Sequence, residues 1–349
     1  MTNPTQMATE VAEQPAVLRS TLDALMPLRE QVGALLRERR RVLLVARGSS
    51  DNAALYGRYL LEAHAGVPAA MAAPSVATHY EAELDLSDTV VVSVSQSGET
   101  TEIVQTQAWA ARCGAATVAV TNGADSALAR EAGLALVTTA GRELAVPATK
   151  TYLAQVAAMA VIGTSVGPVD ASLDAVLLGL PDVVAGLLAA RDGVDAAVEQ
   201  LAGADQTIVT GRGLLMGTAL ETALKLEETC LQPVRGYSYA DLRHGPISVV
   251  DEDVTAIVVA APDGPLSGAM TELAADLRGR GATVVGVGGD PSFAGGCDLW
   301  LPGGDVTEPL APLATIVPLQ LVVEQLARRL GLDPDAPRGL SKVTRTDAT

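Results

Sequence analysis

Hydroxyl side chains are concentrated in one short segment of the chain, SQSGETT at residues 95–101. This segment follows an apolar run, TVVVSV, that is typical of a buried strand, and it precedes a segment with a helical pattern. A helix N-terminus offers free N–H groups and a partial positive charge, and hydroxyls beside it complete a site for a phosphate dianion. Ordinary N-capping by the same hydroxyls is the alternative interpretation.

A second pair of hydroxyls, Ser49 and Ser50, follows another apolar run at residues 42–46. Ligands of parallel α/β sheets bind beyond the carboxyl ends of the strands, where both groups of hydroxyls are expected. The chain has no GxxxxGK[ST] motif and no GxGxxG motif after a strand, so the pattern favours a sugar phosphate over a nucleotide.

Acid–base candidates lie in the segment ALKLEETC and in the motif RHGP. Helical spacing allows either Glu227 or Glu228 to be partly buried, which would increase the basicity of its carboxylate, and it does not choose between them. A solvated helix face, with Lys225 paired to Glu221 and Glu228, is the alternative. His244, in a turn fixed by Gly-Pro, is a candidate acid or base.

The elements that must position these residues form a repeated βα pattern, which predicts a parallel α/β fold. Helical segments are predicted at residues 7–40 and 170–203. The predicted strands are Val42–Ala46, Thr89–Val94, Thr117–Thr121, Ala135–Thr138, Gln206–Thr210, Thr255–Val259, Thr283–Val287 and Leu299–Leu301.

The two halves of the chain are similar at an offset of about 165 residues, which indicates a duplicated unit. Arg47-Gly48 aligns with Arg212-Gly213 in the second half. The hydroxyls do not repeat, because Leu214-Leu215 and Ala261-Pro262-Asp263 stand in their places. The fold therefore does not require them, and the first copy carries an additional function.

The charge and composition of the chain limit the kinds of molecule that it is expected to bind. The net charge of −17 argues against nucleic acid, whose phosphates are bound mainly by Lys and Arg. Three widely spaced cysteines and three histidines show no metal-ligand spacing, so we expect no metal and no cofactor. The N-terminus does not resemble a signal peptide, and residues 151–169 are interpreted as a buried helix and its exit, not a membrane span. We therefore expect a cytoplasmic protein with no membrane partner.

An ordered set of motifs resembles the SIS (sugar isomerase) family, in particular the isomerase half of glutamine–fructose-6-phosphate aminotransferase and stand-alone glucosamine-6-phosphate deaminases. The motifs are EQP (13–15), RGSSDNA (47–53), SQSGET (95–100), GRELAVPATK (141–150), ALKLEETC (223–230), RHGP (243–246) and PRGLSKV (337–343). The resemblance implies two tandem SIS domains, each a five-stranded parallel sheet flanked by helices (flavodoxin- or Rossmann-like), and a homodimer. The predicted domains are residues 1–170 (helices and phosphosugar-binding SIS domain 1), 171–203 (helical linker), 204–333 (SIS domain 2) and 334–349 (a strap over the active site).

The resemblance also implies roles for single residues. Glu228 would be the general base, and His244 would assist ring opening, often from the neighbouring subunit. Lys342 would close over the substrate, although from spacing alone a lysine in a polar tail is ordinarily solvent-exposed. The residues implied to bind the sugar phosphate are Ser49, Ser50, Ser95, Gln96, Ser97, Thr100 and Val146.

The predicted reaction converts glucosamine 6-phosphate to fructose 6-phosphate and ammonia by proton transfer from C2 to C1. The aminotransferase differs from this chain in two respects: it carries a glutamine-cleaving domain, which we do not expect here, and it has serine at the position of Ala148. The alternatives are a deglycase of fructosamine (Amadori) 6-phosphates, an aldose–ketose phosphosugar isomerase and, from another class, a sugar-phosphate sensor.

Overall fold

The computed structural model describes residues 4–342 and contains ten strands in two parallel sheets. The strands are β1 Arg41–Val45, β2 Ala69–Met71, β3 Thr89–Val94, β4 Ala116–Thr121, β5 Leu134–Val137, β6 Gln206–Gly211, β7 Val234–Ser238, β8 Val254–Ala260, β9 Thr283–Gly288 and β10 Leu299–Leu301. The helices are α1 Gln6–Ala12, α2 Gln14–Leu25, α3 Arg29–Glu38, α4 Ser49–Ala63, α5 Pro74–Thr78, α6 Thr101–Arg112, α7 Ala127–Glu131, α8 Lys150–Gly163, α9 Ala171–Ala189, α10 Val194–Ala202, α11 Met216–Cys230, α12 Tyr239–Arg243, α13 Ser267–Gly279, α14 Pro291–Gly296 and α15 Pro312–Arg329. Short 3₁₀ segments lie at Met26–Leu28, Gly213–Leu215 and Pro246–Val249.

Both sheets have the same strand order, which confirms the predicted α/β fold and its duplication. The first sheet runs β2-β1-β3-β4-β5 and the second β7-β6-β8-β9-β10, and each pair of neighbours is parallel. This is the flavodoxin-like order, in which the carboxyl ends of the first and third strands of each unit are adjacent.

Pattern alone found eight of the strands, each within one residue at either end, and missed β2 and β7. Both are edge strands with weak sequence signals. β2 is three residues long and contains no β-branched or aromatic side chain, and β7 contains a glycine at its centre. The helical region predicted at residues 7–40 is divided into α1, α2, a 3₁₀ segment that contains Pro27, and α3.

The described chain divides into two compact units, each built around one sheet. The N-sheet unit contains residues 16–143, 150–178 and 341–342, and the C-sheet unit contains residues 4–15, 144–149 and 179–340. The predicted domain boundaries at 170, 203 and 333 stay a prediction. Residues 343–349 of the predicted strap lie outside the described residues.

The N-sheet unit is centred on β3, whose six residues are all buried between helices. Helix α8, all fourteen residues of which are buried, packs against α4. Gly57 permits this close approach, because a Cβ at that position would lie 2.5 Å from the sulfur of Met159.

The C-sheet unit is built in the same way around β8, whose seven residues are buried. Helix α11 contacts α15, a largely buried helix, and α13 and α14 pack near β9. The apolar core below α13 includes Met270, Leu273, Leu277 and Phe293.

Helix α9 is the one described helix long and apolar enough to cross a membrane, by length and composition only. Its mean hydropathy over eighteen residues is 1.7, and a third of that window is buried. Core helices of soluble proteins satisfy the same criteria, so the cytoplasmic location stays a prediction.

Candidate functional site

The hydroxyl turn after β3 has a defined internal geometry. The Ser95 hydroxyl accepts a hydrogen bond from the Gly98 N–H at 3.2 Å and lies 3.3 Å from the Thr100 hydroxyl. The Ser97 hydroxyl accepts from the Glu99 N–H at 3.2 Å. Gly98 has φ +64°, and a Cβ there would lie 2.2 Å from the hydroxyl of Ser126, so the turn requires glycine. Ser95 is buried, while Gln96, Ser97 and Thr100 are half-buried.

N-capping does not account for these hydroxyls. Thr100 occupies the N-cap position of α6, and Gly48, with φ +57°, occupies that of α4. Among the described residues, neither helix has a side-chain hydrogen bond at its N-cap. The hydroxyls and the first-turn N–H groups of both helices therefore meet the requirements of an anion site.

The structure brings the two hydroxyl turns together within the N-sheet unit. β1 and β3 are neighbouring strands, and Arg47, which follows β1, makes two 2.9 Å hydrogen bonds to Glu102 in the first turn of α6. Burial raises the pKa of Asp51, in the first turn of α4, and the charge of Arg47 lowers it in part.

The equivalent turn in the C-sheet unit is closed by the chain itself. Asp263 accepts hydrogen bonds from the Glu308 N–H at 2.6 Å and from the Thr307 hydroxyl at 3.0 Å. Gly264 keeps the positive φ of its counterpart, at +90°, and a Cβ there would lie 2.3 Å from the Glu308 carboxylate. The duplication therefore preserves the backbone of the turn but replaces its hydroxyls with internal contacts.

Glu228 lies near the end of α11, where it contacts the ammonium group of Lys225. Lys225 also lies 3.7 Å from a carboxylate oxygen of Glu221. The side chains of Lys225 and Glu221 are 3% and 0% exposed, and that of Glu228 is 26% exposed. Both ion pairs of the alternative interpretation are present, but its solvated helix face is wrong, because two of the three side chains are buried.

The adjacent carboxylate differs from Glu228 in its surroundings. Glu227 is largely exposed to solvent. The part of its carboxylate that is desolvated, together with the charge of Glu228, raises its pKa. The structure thus distinguishes two neighbours that spacing left equivalent: Glu228 is held by a buried cation. Its role as general base stays a prediction.

The remaining predicted residues are divided between the two units. His244, at the end of α12, has an exposed side chain, and its N–H donates to the Ala240 carbonyl at 3.1 Å. The Val146 N–H donates to the Asp335 carbonyl at 2.8 Å. Both residues lie in the C-sheet unit with Glu228. The N-sheet unit contains the hydroxyl turns and Lys342.

Two residues near the candidates were not assigned a role from the sequence: Lys225 and Glu143. The ammonium group of Lys342 donates to the Glu143 carboxylate at 2.7 Å. A signal was present for Lys225 and none for Glu143, because only three of the 24 basic residues are lysines: Lys150, Lys225 and Lys342. Lys150 and Lys225 are 3% and 2% exposed, which is unusual for lysine.

The described part of the chain shows no cluster of metal ligands and no reactive thiol at Cys230 or Cys297. Residues 4–342 contain no group of three or more His, Cys, Asp or Glu side chains that could hold a metal ion. Burial raises the pKa of Cys230 to about 12, and burial with the charge of Asp298 raises that of Cys297 to about 11. Neither is a reactive thiolate at neutral pH. The chemistry that this arrangement supports is anion binding and proton transfer by carboxylate.

Comparison with known proteins agrees with the geometry. A family model for the SIS domain matches residues 35–165. The crystal structure of a candidate phosphosugar isomerase from Silicibacter pomeroyi DSS-3 is 33% identical, with a TM-score of 0.87, and the match covers 95% of this chain and 100% of that one. The chain belongs to the SIS family.

This SIS protein is similar to part of a larger enzyme. It is 32% identical over 342 residues to glutamine–fructose-6-phosphate aminotransferase from Aquifex aeolicus, which covers 98% of this chain and 58% of that protein. The C-terminal domain of glucosamine-fructose-6-phosphate aminotransferase from Francisella tularensis is 26% identical, with a TM-score of 0.85, and the match covers 96% of this chain and 99% of that domain. The chain thus spans a little over half the length of the curated relatives that it matches.

Proposed function

We propose that this SIS protein is a phosphosugar isomerase that converts glucosamine 6-phosphate to fructose 6-phosphate and ammonia. The observation that carries the proposal is the hydroxyl turn at residues 95–101, where Ser95, Ser97 and Thr100 stand at a helix N-terminus without capping it. Hydroxyls, N–H groups and a helix dipole suit a phosphate dianion. The absence of these hydroxyls from the second copy supports a ligand-binding role.

The proposed chemistry begins with the sugar phosphate held by the hydroxyl turns, as binding at one end positions the reacting carbons. His244 assists ring opening to the aldehyde. Glu228 takes the proton from C2, the electron pair forms a C1–C2 double bond while the C1 carbonyl oxygen takes a proton from water to give an enolamine, and Glu228 delivers its proton to C1 as the double bond moves to C2 and nitrogen. The product is a ketose imine at C2, to which water adds. Ammonia then leaves, giving fructose 6-phosphate.

The contacts of Glu228 suit this role. A proton that moves between adjacent carbons needs one base held within reach of both. The ammonium group of Lys225 fixes the Glu228 carboxylate, and Lys225 is in turn held beside Glu221 in the interior of the C-sheet unit. The side chain of Glu228 remains a quarter exposed, so it can meet a ligand.

The test is ammonia release from glucosamine 6-phosphate by the purified protein, measured with coupled glutamate dehydrogenase, with galactosamine 6-phosphate in parallel. We expect Glu228→Gln to lower turnover by about 10²- to 10⁴-fold and to leave equilibrium binding of the sugar phosphate unchanged, because the amide keeps the shape but cannot accept the proton. Glu227→Gln is the matched control, and we expect it to retain activity within about twofold, since surface substitutions have small effects.

Failure of the wild-type protein to release ammonia from either hexosamine phosphate would contradict the deaminase proposal. Fructosamine 6-phosphates and simple ketose phosphates would then be assayed, as the same base and phosphate turns could serve a deglycase or an aldose–ketose isomerase. A Glu228→Gln protein with full activity would show that another residue is the base. A protein that binds sugar phosphates without turning any of them over would be a sensor.

We further propose that the protein is a cytoplasmic homodimer whose partners are small sugar phosphates. The duplicated α/β architecture and the SIS membership support the proposal. Light scattering coupled to size-exclusion chromatography tests it, and a single species at the mass of one 35.7 kDa chain would contradict it.

A further inference from the structure

Glu143 is a buried carboxylate beside Lys342, a candidate active-site cation. Its side chain is 0% exposed. One carboxylate oxygen accepts the Thr151 N–H at 3.2 Å, and the other accepts the Thr151 hydroxyl at 2.5 Å and the Lys342 ammonium group at 2.7 Å. All of these groups belong to the N-sheet unit, which also contains the hydroxyl turns.

The carboxylate is fixed from the protein side before Lys342 reaches it. Thr151 lies in the first turn of α8, a helix buried along its whole length, and its two hydrogen bonds orient the Glu143 side chain. Lys150, also buried, donates a hydrogen bond at 2.7 Å to the carbonyl of Arg142, the residue before Glu143. The position of this carboxylate is therefore set by a rigid helix and not by the tail.

Lys342, by contrast, lies in a segment with no regular secondary structure, and its side chain is 26% exposed. A lysine on such a segment has several rotatable bonds and no preferred direction for its amine. The ion pair with Glu143 supplies that direction. A buried carboxylate that is already hydrogen-bonded is a much stronger anchor than an exposed one, because water screens it less.

We propose that Glu143 is the positioning residue for Lys342: it orients the ammonium group and holds the tail residue that bears it in the unit that contains the hydroxyl turns. This inference rests on the proposed function, in which Lys342 closes over the bound sugar. Glu143 itself makes no contact with substrate in this role. It acts through the amine of Lys342.

The kinetic test separates positioning from stability. Glu143→Gln keeps the shape and an oxygen acceptor for Thr151 but removes the charge that binds Lys342. We expect kcat to fall about tenfold or more, since small misplacements of a reacting group are costly, and KM to stay within about twofold because the phosphate turns are untouched. Glu143→Asp should recover part of kcat by restoring the charge.

Two further variants complete the kinetic test. Adding Glu143→Gln to Lys342→Ala should cause no further loss of kcat, because the effects of two residues that act through one contact are not additive. Asp174→Asn is the matched control: it breaks the Arg29–Asp174 ion pair, at 2.7 Å in the same unit, and should lower the melting temperature without changing kcat.

A second readout needs no substrate. With only three lysines in the chain, acylation of each amine by an N-hydroxysuccinimide acetate reagent can be followed by peptide mass spectrometry. We expect Lys342 to react at least about threefold faster in Glu143→Gln than in the wild type, because the amine is released from its hydrogen bond, and Lys150 to remain unreactive because it is buried.

The two readouts distinguish failure of this proposal from failure of the proposed function. A wild-type protein that is inactive on every phosphosugar would contradict the function, and the acylation rates would still decide the role of Glu143. An unchanged Lys342 acylation rate in Glu143→Gln overturns the positioning role, whatever happens to kcat. If Glu143→Gln does not fold, Glu143→Asp replaces it: the shorter side chain draws the carboxylate away from the Lys342 ammonium group, and an acylation rate at Lys342 equal to that of the wild type would overturn the proposal.

Discussion

At the scale of single residues, two of the three lysines, Lys150 and Lys225, place a compact ammonium group in buried surroundings. Arginine supplies the other basic side chains, including Arg278, Arg280 and Arg329 in exposed ion pairs. A guanidinium group is planar and larger than an ammonium group, so the two are not interchangeable in a closed site. Lys225 is the clearest case, because it lies between two carboxylates.

Replacing Lys225 with methionine should therefore destabilise the protein strongly. The change removes the cation beside the buried carboxylate of Glu221, and breaking a buried pair in this way costs about 3–5 kcal/mol of unfolding free energy. Urea unfolding at pH 7 measures it. Arg329→Met, which breaks the exposed pair with Glu199, is the control and should have little effect. Equal losses in the two variants would contradict the distinction.

The residue types of the candidate site could be predicted from the sequence, but their partners could not. The hydroxyl side chains clustered after an apolar run can be recognised from the amino-acid sequence alone. The choice between Glu227 and Glu228 depends on which face of α11 is buried, and helical spacing placed apolar neighbours beside both. The contact of Glu143 with Lys342 joins positions 199 residues apart, and no local pattern encodes such a pair.

At the scale of elements, the duplicated turns allow one copy to act as the control for the other. Gly98 and Gly264 occupy equivalent positions after β3 and β8, both with positive φ. In each case an added Cβ would lie within 2.3 Å of a side-chain oxygen. The backbone requirement is shared, whereas the hydroxyls are present only in the first copy.

We expect Gly98→Ala and Gly264→Ala to destabilise their units by similar amounts, about 1–3 kcal/mol, since each forces a non-glycine residue into a strained conformation. Only Gly98→Ala should also raise KM for the sugar phosphate, by about tenfold, because it displaces Ser97 and Thr100. Thermal unfolding and steady-state kinetics on both variants provide the comparison. A comparable rise in KM for Gly264→Ala would contradict the assignment of the phosphate site to the first copy.

The elements themselves were predictable where burial was complete. Strands buried on both faces, such as β3 and β8, are continuous apolar runs with sharp ends. The edge strands β2 and β7 carry weak signals, because β2 has only three residues and no β-branched side chain and β7 has a glycine at its centre, so pattern did not reveal them. The break between α2 and α3 coincides with Pro27, and the presence of this proline could have predicted it.

At the scale of the whole molecule, the chain is strongly acidic while its proposed substrate is a dianion. Repulsion between them is long-range at low ionic strength and is screened within about 10 Å at 0.1 M salt. We expect KM for the sugar phosphate to fall by about twofold or more as sodium chloride is raised from about 10 to 150 mM, with kcat unchanged. A KM that rises with salt would show that positive charge near the turns outweighs the net charge.

The division into compact units is the property that the sequence disclosed least. Residues 144–149 belong with the C-sheet unit although the chain on either side of them belongs with the N-sheet unit, and residues 341–342 return to the N-sheet unit from the far end of the chain. Duplication at a fixed offset predicts two similar halves, but it says nothing about segments exchanged between them. Only three-dimensional contacts reveal those.

The closed turn at Asp263 has a thermodynamic consequence. A phosphate that binds the open turn adds stability in proportion to the logarithm of its concentration, and this contribution vanishes when the ligand is diluted away. The contacts of Asp263 with Thr307 and Glu308 are part of the chain, so their contribution is the same at every concentration. Under the proposed function, the stability of the N-sheet unit would rise with the concentration of sugar phosphate, whereas that of the C-sheet unit would not vary with it.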